Sequence, residues 1–247
     1  MSLWNSAENT ELRLVHDEPS GDPGADLMAG IQLLSDVRDG LKTPTLRLYR
    51  PDPTLAFGQR DVRLPGYDAA VQKATEHGFA PLVRKAGGRA AAYHRGCLIV
   101  DHVELAQEAM MGHQQRFKVL GQLYADALQS AGVDAHVGEI DGEYCPGEFS
   151  VHGVPTMGSP TRQQVKLVGT AQRVVGGAWL FSSVFVIENS APIRAVLRDV
   201  YQAMEIPMDS TTAGSAADLL PGLSVERFCE HLIAEYRKHI PVIESGS

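Results

Sequence analysis

The chain has 247 residues, 44% hydrophobic and 21% charged, with a formal net charge of −8. A near-average composition at this length excludes a disordered, collagen-like or disulfide-rich protein, and it suffices to bury a substantial core. The acidic balance argues against a general nucleic-acid or membrane-surface binder, since either needs a basic footprint.

In chain order, strand-like and helix-like stretches alternate. Leu12–Val15 reads as a short strand, and after the turn Pro19–Gly24 the residues Leu27, Ile31 and Leu34 fall at helical spacing until Gly40. Leu46–Tyr49 and Thr54–Phe57 read as two strands joined by a tight turn at Pro51-Asp52-Pro53. A helix follows from about Tyr67 to His77, then a strand at Ala80–Val83. Ala90–Tyr93 and Cys97–Val100 flank His94-Arg95-Gly96, which reads as a hairpin or bulge. Phe117, Leu120, Tyr124 and Leu128 share one helical face, closed by Gly132. Val165–Val168 and Ala178–Ile187 read as long strands. Two helical stripes end the chain: Ile193, Val196, Leu197, Val200 and Met204, then Val225, Phe228, Leu232 and Tyr236. Between them, Met208–Gly214 reads as a mobile connection. Runs of strands with interspersed helices and few clean βαβ units predict an α+β fold, with mixed and antiparallel sheets flanked by helices. No strong linker is visible, so one catalytic domain over 1–247 is expected, with its core at about 12–205 and a C-terminal helical extension at about 215–240.

The first twenty residues carry Glu8, Glu11, Asp17 and Glu18 in place of a basic start and an apolar run, so no signal peptide is expected. Val174–Ile187, the most apolar stretch, is shorter than the ~20 residues a bilayer requires. Three well-separated cysteines cannot all pair, which points to reduced thiols and a cytoplasmic location.

Three constellations could carry chemistry. The first is Arg84-Lys85-Ala86-Gly87-Gly88-Arg89, leading through Ala90-Ala91-Ala92-Tyr93 to His94. Paired glycines let backbone approach a ligand, and the cations would draw a phosphate or carboxylate; a tight turn with a solvated basic rim is the plain alternative. The second is Val165-Lys166-Leu167-Val168-Gly169-Thr170-Ala171-Gln172-Arg173. A lysine inside a β-branched run is costly unless its ammonium reaches water, an anion or a reacting group; an edge-strand lysine reaching outward is the alternative. Gly169 within that strand suggests a bulge or a close backbone approach. The third is Asp141-Gly142-Glu143-Tyr144-Cys145-Pro146-Gly147-Glu148-Phe149. Cys97 and Cys229 lie in apolar patterns and read as core thiols, whereas Cys145 lies in a loop. There Glu143 and Glu148 would oppose a thiolate unless a cation such as Lys166 intervenes. No zinc, metalloprotease or P-loop motif is present, and no metal site is expected.

Taken in order and spacing, these residues resemble the lipoate–protein ligase and octanoyltransferase superfamily, whose catalytic fold is shared with biotin–protein ligases. The resemblance rests on Arg84 to His94, on Lys166-Leu167-Val168-Gly169-Thr170-Ala171-Gln172-Arg173, and on the early strand pair Leu46-Arg47-Leu48-Tyr49 and Leu55-Ala56-Phe57-Gly58-Gln59. It spans roughly residues 12 to 205. It implies Cys145 as nucleophile and Lys166 as the group that favours the thiolate and contacts the acyl carbonyl. It further implies Arg84, Gly87, Gly88, Arg89, His94, Gly169, Thr170 and Ala171 as substrate-binding residues. His94-Arg95 stands where the family often has His-Asp, and Arg89 where a third glycine is usual.

The activity this implies is transfer of an octanoyl or lipoyl group from an acyl-carrier-protein thioester, through Cys145, to a lysine of a lipoyl-domain or glycine-cleavage H-type protein. No cofactor is needed for that reaction. An ATP- and magnesium-dependent lipoate ligase is the alternative, in which Cys145 is incidental. A non-catalytic binder of an acyl or biotin-like ligand is a third.

Overall fold

The computed structural model describes residues 11–106 and 112–244. In chain order the elements are β1 (Leu12–Asp17), α1 (Pro23–Arg38), β2 (Thr45–Tyr49), β3 (Thr54–Phe57), α2 (Tyr67–Glu76), β4 (Ala80–Val83), β5 (Ala91–Tyr93), β6 (Cys97–Leu105), α3 (His113–Ser130), β7 (Ala135–Val137), β8 (Val151–Gly153), β9 (Val165–Val175), β10 (Ala178–Val186), α4 (Ser190–Ala203), α5 (Ala216–Leu219), α6 (Val225–Arg237) and β11 (Val242–Glu244). Eight strands form one mixed sheet in the order β11-β1-β2-β6-β10-β9-β8-β7, and β4-β3-β5 form a second, smaller one. The fold is α+β, as the sequence pattern implies.

Alternation along the central strands divides the large sheet into two buried faces. Leu98, Val100, Phe181 and Phe185 pack under α3 and α6 with Leu120, Tyr124, Phe228 and Tyr236. On the opposite face, Ile99 and Val184 pack against the small sheet and α4. There Val103 and Leu180 meet α1 through Leu33, Leu34 and Val37. The α6 stripe, expected as an extension, is part of the main core, and β11 adds a parallel edge strand to β1.

Four local expectations are corrected. The segment Pro51-Asp52-Pro53 does not close a hairpin: β2 pairs with β1 and β6, while β3 pairs with β4 and β5 in the other sheet. Two prolines in three residues withhold ladder donors, so the chain crosses between sheets there. The turn His94–Gly96 likewise crosses back from β5 to β6, and Arg95 ties the two crossings together by an ion pair with Asp52 at 2.8 Å. The β9–β10 register runs unbroken through Gly169, which faces Val184. The irregularity lies earlier, where Val151 pairs with Val168 but His152 pairs with Lys166. One extra residue in β9 reverses the alternation and brings Lys166 and Gly169 to the same face. Finally, Met208–Gly214 is held in place. Asp209 accepts from Thr211, Thr212 and Ala213 are buried, and Ala213 bridges to Lys166.

Candidate active site

A cavity lies between α1, the large sheet and the small sheet. Leu27 and Ile31 of α1, Tyr49, Ile99 and Val184 of the large sheet, and Ala91 and Tyr93 of β5 form its walls. About 670 Å³ of empty space, open solvent at the mouth included, lies between these walls. Gly169 and Ala171 line it, whereas Thr170 between them faces the other side of the strand by alternation. A Cβ at Gly169 would meet Val184 at 3.4 Å, an ordinary contact. Arg84, Lys85 and Ala86 border the same cavity.

Beside Arg84 opens a shallower groove bordered by Arg60, Gly88, Arg89, Cys145 and Tyr201. Cys145 lines the groove, and Arg84, which borders the cavity, is its link to the cavity. Its sulfur accepts the Arg89 backbone N–H at 3.1 Å and lies 3.6 Å from Arg84 Nη2. Close backbone packing makes this possible. A Cβ on Gly88, which has φ of +103°, would come within 2.9 Å of the sulfur and 2.3 Å of Arg84 Nη2. One on Gly58 would lie 1.8 Å from the Gly88 carbonyl oxygen. Gly87, by contrast, is exposed with open space around it.

The nucleophile loop is strained and tied down. Cys145 has φ of 44°, a left-handed conformation that costs a non-glycine residue on the order of 1–3 kcal/mol. Its N–H donates to the Tyr201 hydroxyl at 2.8 Å, and its carbonyl accepts from Lys166 at 2.7 Å.

Lys166 is 1% exposed, so it does not reach outward as a solvated edge-strand residue would. Its ammonium donates to Glu143 Oε1 at 2.8 Å, to the Tyr144 carbonyl at 3.0 Å and to the Cys145 carbonyl at 2.7 Å. An ammonium has three protons, and all three are thereby engaged. Glu143 also accepts from Ser150 Oγ and from the Ile140 N–H, so the buried carboxylate is satisfied. In this geometry Lys166 grips the carbonyls of Tyr144 and Cys145, and none of its three protons is left over for the acyl carbonyl the resemblance assigns to it.

The first constellation divides. Arg84 Nη2 donates to the Arg89 carbonyl at 2.7 Å, and its buried Nε has no partner among the described residues. The Arg89 side chain pairs with fully buried Asp61 at 3.0 Å, and Asp61 also accepts the Gly58 N–H. His94 does not join the site. Its Nδ1 accepts the Gly96 N–H at 2.8 Å, which leaves Nε2 to donate to the Asn189 carbonyl at 2.9 Å. Both ring nitrogens are spent on holding the β5–β6 crossing.

The other cysteines behave as core thiols. Burial pushes Cys97 up to about 12 and Cys229 up to about 11. Sequence reasoning missed Tyr201, Asp61 and the structural work of Glu143. Tyr201 lies beside the α4 stripe with nothing in its spacing to separate it from core. Asp61 follows Gly58-Gln59, the one part of its surroundings that the pattern flagged. Among the described residues no cluster of three His, Cys, Asp or Glu side chains could hold a metal ion, and no helix is long and apolar enough to cross a membrane.

Comparison with known proteins gives a consistent picture. The profile of the lipoyl protein ligase A/B catalytic domain matches residues 26–237. An octanoyl-GcvH:protein N-octanoyltransferase of Geobacillus kaustophilus is 27% identical over 165 residues, covering 67% of this chain and 55% of that protein. The protein of the same name from Anoxybacillus flavithermus is 26% identical over 202 residues, covering 81% of this chain and 67% of its own. The chain thus spans about half to two thirds of the length of such relatives. A crystal structure of lipoate-protein ligase A bound with ATP superposes with a TM-score of 0.72 at 19% identity, over 95% of this chain and 88% of that one. At that identity the likeness is one of fold.

Proposed function

The chain belongs to the lipoyl protein ligase A/B catalytic domain family, and from that premise we propose that it transfers an octanoyl or lipoyl group between proteins through a thioester on Cys145. The observation that carries this is the position of the Cys145 sulfur. It lines the groove, lies 3.6 Å from Nη2 of Arg84, which borders the cavity, and already accepts an N–H donor from the Gly-rich loop at 3.1 Å.

The acyl chain lies in the cavity against Leu27, Ile31 and Val184, with its carbonyl at the mouth. The Cys145 thiolate attacks that carbonyl, a carbon–sulfur bond forms, and the bond to the donor protein breaks. The donor's departing sulfur or nitrogen takes up the proton. In the second half, the ε-amine of an acceptor lysine enters along the groove and attacks the acyl-Cys145. A carbon–nitrogen bond forms, the carbon–sulfur bond breaks, and sulfur recovers the amine's proton. Arg84, whose Nη2 lies 3.6 Å from the sulfur and whose Nε–H has no partner among the described residues, is the side chain placed to donate to the oxyanion in both halves. Lys166 holds the loop that presents the sulfur.

The relatives' name specifies octanoyl on GcvH as donor and a protein as acceptor. A GcvH-type protein is accordingly one donor to test, and an acyl-carrier-protein thioester is the other; the acceptor is a lysine of a lipoyl domain. A free nucleophilic thiol suits the reducing cytoplasm.

An ATP-dependent ligase reaction would need cations free to receive phosphates. Lys166 has all its protons on protein acceptors, Arg84 Nη2 is turned to the Arg89 carbonyl, and Arg89 is paired with Asp61. Phosphate contacts would then fall to Lys85 and Arg60, exposed cations that border the cavity and the groove, and no step is derived through a triphosphate.

The test is intact mass after incubation with octanoyl-carrier protein and, separately, octanoyl-GcvH. One octanoyl adduct is expected on the unsubstituted protein and none on Cys145→Ser. No adduct with either donor, or an adduct that persists in Cys145→Ser, overturns the reading.

A further inference from the structure

Tyr201 on α4 is 1% exposed and lies outside every motif that points to chemistry, yet its hydroxyl touches both halves of the site. It accepts the Cys145 N–H at 2.8 Å and donates to the Ala90 carbonyl at 2.9 Å. The direction of the bridge is fixed, because an amide can only donate, a carbonyl can only accept, and a phenol carries one proton. Burial raises the phenol well above its ordinary value, so that proton stays in place.

We propose that Tyr201 is a positioning residue for the thiol: its hydroxyl clamps the nucleophile loop to the strand entry that carries the Arg89 N–H. The inference rests on the reading of Cys145 as the acyl-carrying residue.

Ala90 directly follows Arg89, whose N–H reaches the sulfur at 3.1 Å. The contacts therefore close a ring: Cys145 N–H to Tyr201, Tyr201 to the Ala90 carbonyl, back along one residue to the Arg89 N–H, and on to Cys145 Sγ. A ring of this kind sets the distance between two loops that no strand pairing joins. It also opposes relaxation of the left-handed Cys145 backbone, since any such turn withdraws the N–H from Tyr201. Lys166 holds the same peptide from its carbonyl side. Tyr201 holds the other end, and of the two it is the one that reaches the Ala90 carbonyl beside the Gly-rich loop.

Tyr201→Phe keeps the packing and removes only the bridge. Two rates are measured at one pH: iodoacetamide alkylation of Cys145, followed by peptide mass, and formation of the octanoyl adduct. Both are expected to fall by about tenfold, the loss of roughly one hydrogen bond's worth of alignment, with the KM for the octanoyl donor little changed. The control is Tyr236→Phe, which removes a buried hydroxyl bonded to Tyr124 on the far face of the large sheet. It is expected to lower the thermal midpoint and leave both rates unchanged. The proposal is overturned if Tyr201→Phe reacts at the unsubstituted rate, or if Tyr236→Phe slows both reactions as much. Should the unsubstituted protein take up no octanoyl group while Tyr201→Phe still slows alkylation, the transferase reading fails and the positioning role stands.

Discussion

The Gly-rich loop and the lysine strand look like equal partners in the sequence, each a run of chemistry-bearing residues beside a glycine. In the structure they act at different removes from the thiol. The loop delivers atoms directly, with the Arg89 N–H on the sulfur and Arg84 beside it. The strand delivers none. Lys166 is quenched by Glu143 and spends its other two protons on the carbonyls of Tyr144 and Cys145. A charged residue in a motif can therefore serve geometry alone, and its partners show which role it takes.

The largest effect that would test this contrast comes from Lys166→Met. It strands the Glu143 carboxylate, buried at 3% exposure, without its cation. Removing one partner of a buried pair costs about 3–5 kcal/mol, so chemical denaturation should show a loss of that order. Lys166→Met combined with Glu143→Gln should recover most of the stability, because the charge is gone, the glutamine oxygen can accept the Ile140 N–H and its NH2 can donate to the Ser150 hydroxyl. It should not recover Cys145 alkylation, since the two carbonyls remain without a donor. Alkylation at the unsubstituted rate in the double variant would show that Lys166 does not hold the loop.

The same contrast explains what the sequence disclosed. The elements of α1, α2, α3, α4 and α6 were legible because each buries one stripe at helical spacing, and β9 and β10 because of their length. The motifs placed Arg84, Gly88, Arg89, Cys145 and Lys166 within one neighbourhood. What stayed hidden depends on register and on partners far along the chain. The bulge that turns Lys166 toward the cavity face is set by pairing with Val151 and His152, and nothing local to the lysine signals it. His94 shares its segment with the Gly-rich loop, but the Asn189 carbonyl 95 residues away claims its ring. Tyr201 is read as core because it is core; only its hydroxyl is functional. β7, β8 and β11 were missed because three residues are too few to display a period.

A smaller loss is expected from Gly88→Ala, which tests the loop's side of the contrast. The added methyl would lie 2.9 Å from the sulfur and 2.3 Å from Arg84 Nη2, on a backbone with φ of +103°. Both groups must move. Displacement of about 1 Å at a reacting centre can cost on the order of 100-fold in rate, so the octanoyl-adduct rate should fall by roughly that factor. Gly87→Ala, whose methyl meets nothing within 4 Å, should react like the unsubstituted protein. Equal damage from the two would mean that the loop responds to lost flexibility rather than to crowding at the thiol.

Arg89→Ala should have the smallest effect, and it separates backbone from side chain at one residue. The contact with the sulfur is made by the Arg89 N–H, which alanine retains. The guanidinium, 35% exposed, instead pairs with fully buried Asp61 at 3.0 Å. Asp61 keeps the Gly58 N–H when the arginine is removed. Stability should fall because a buried carboxylate loses its cation, but with the N–H on the sulfur kept the alkylation and adduct rates should drop by less than about fivefold. If Arg89→Ala instead matches Gly88→Ala, the arginine side chain contacts the acyl donor directly. The Gly-rich loop would then be reading its substrate with charge as well as with backbone.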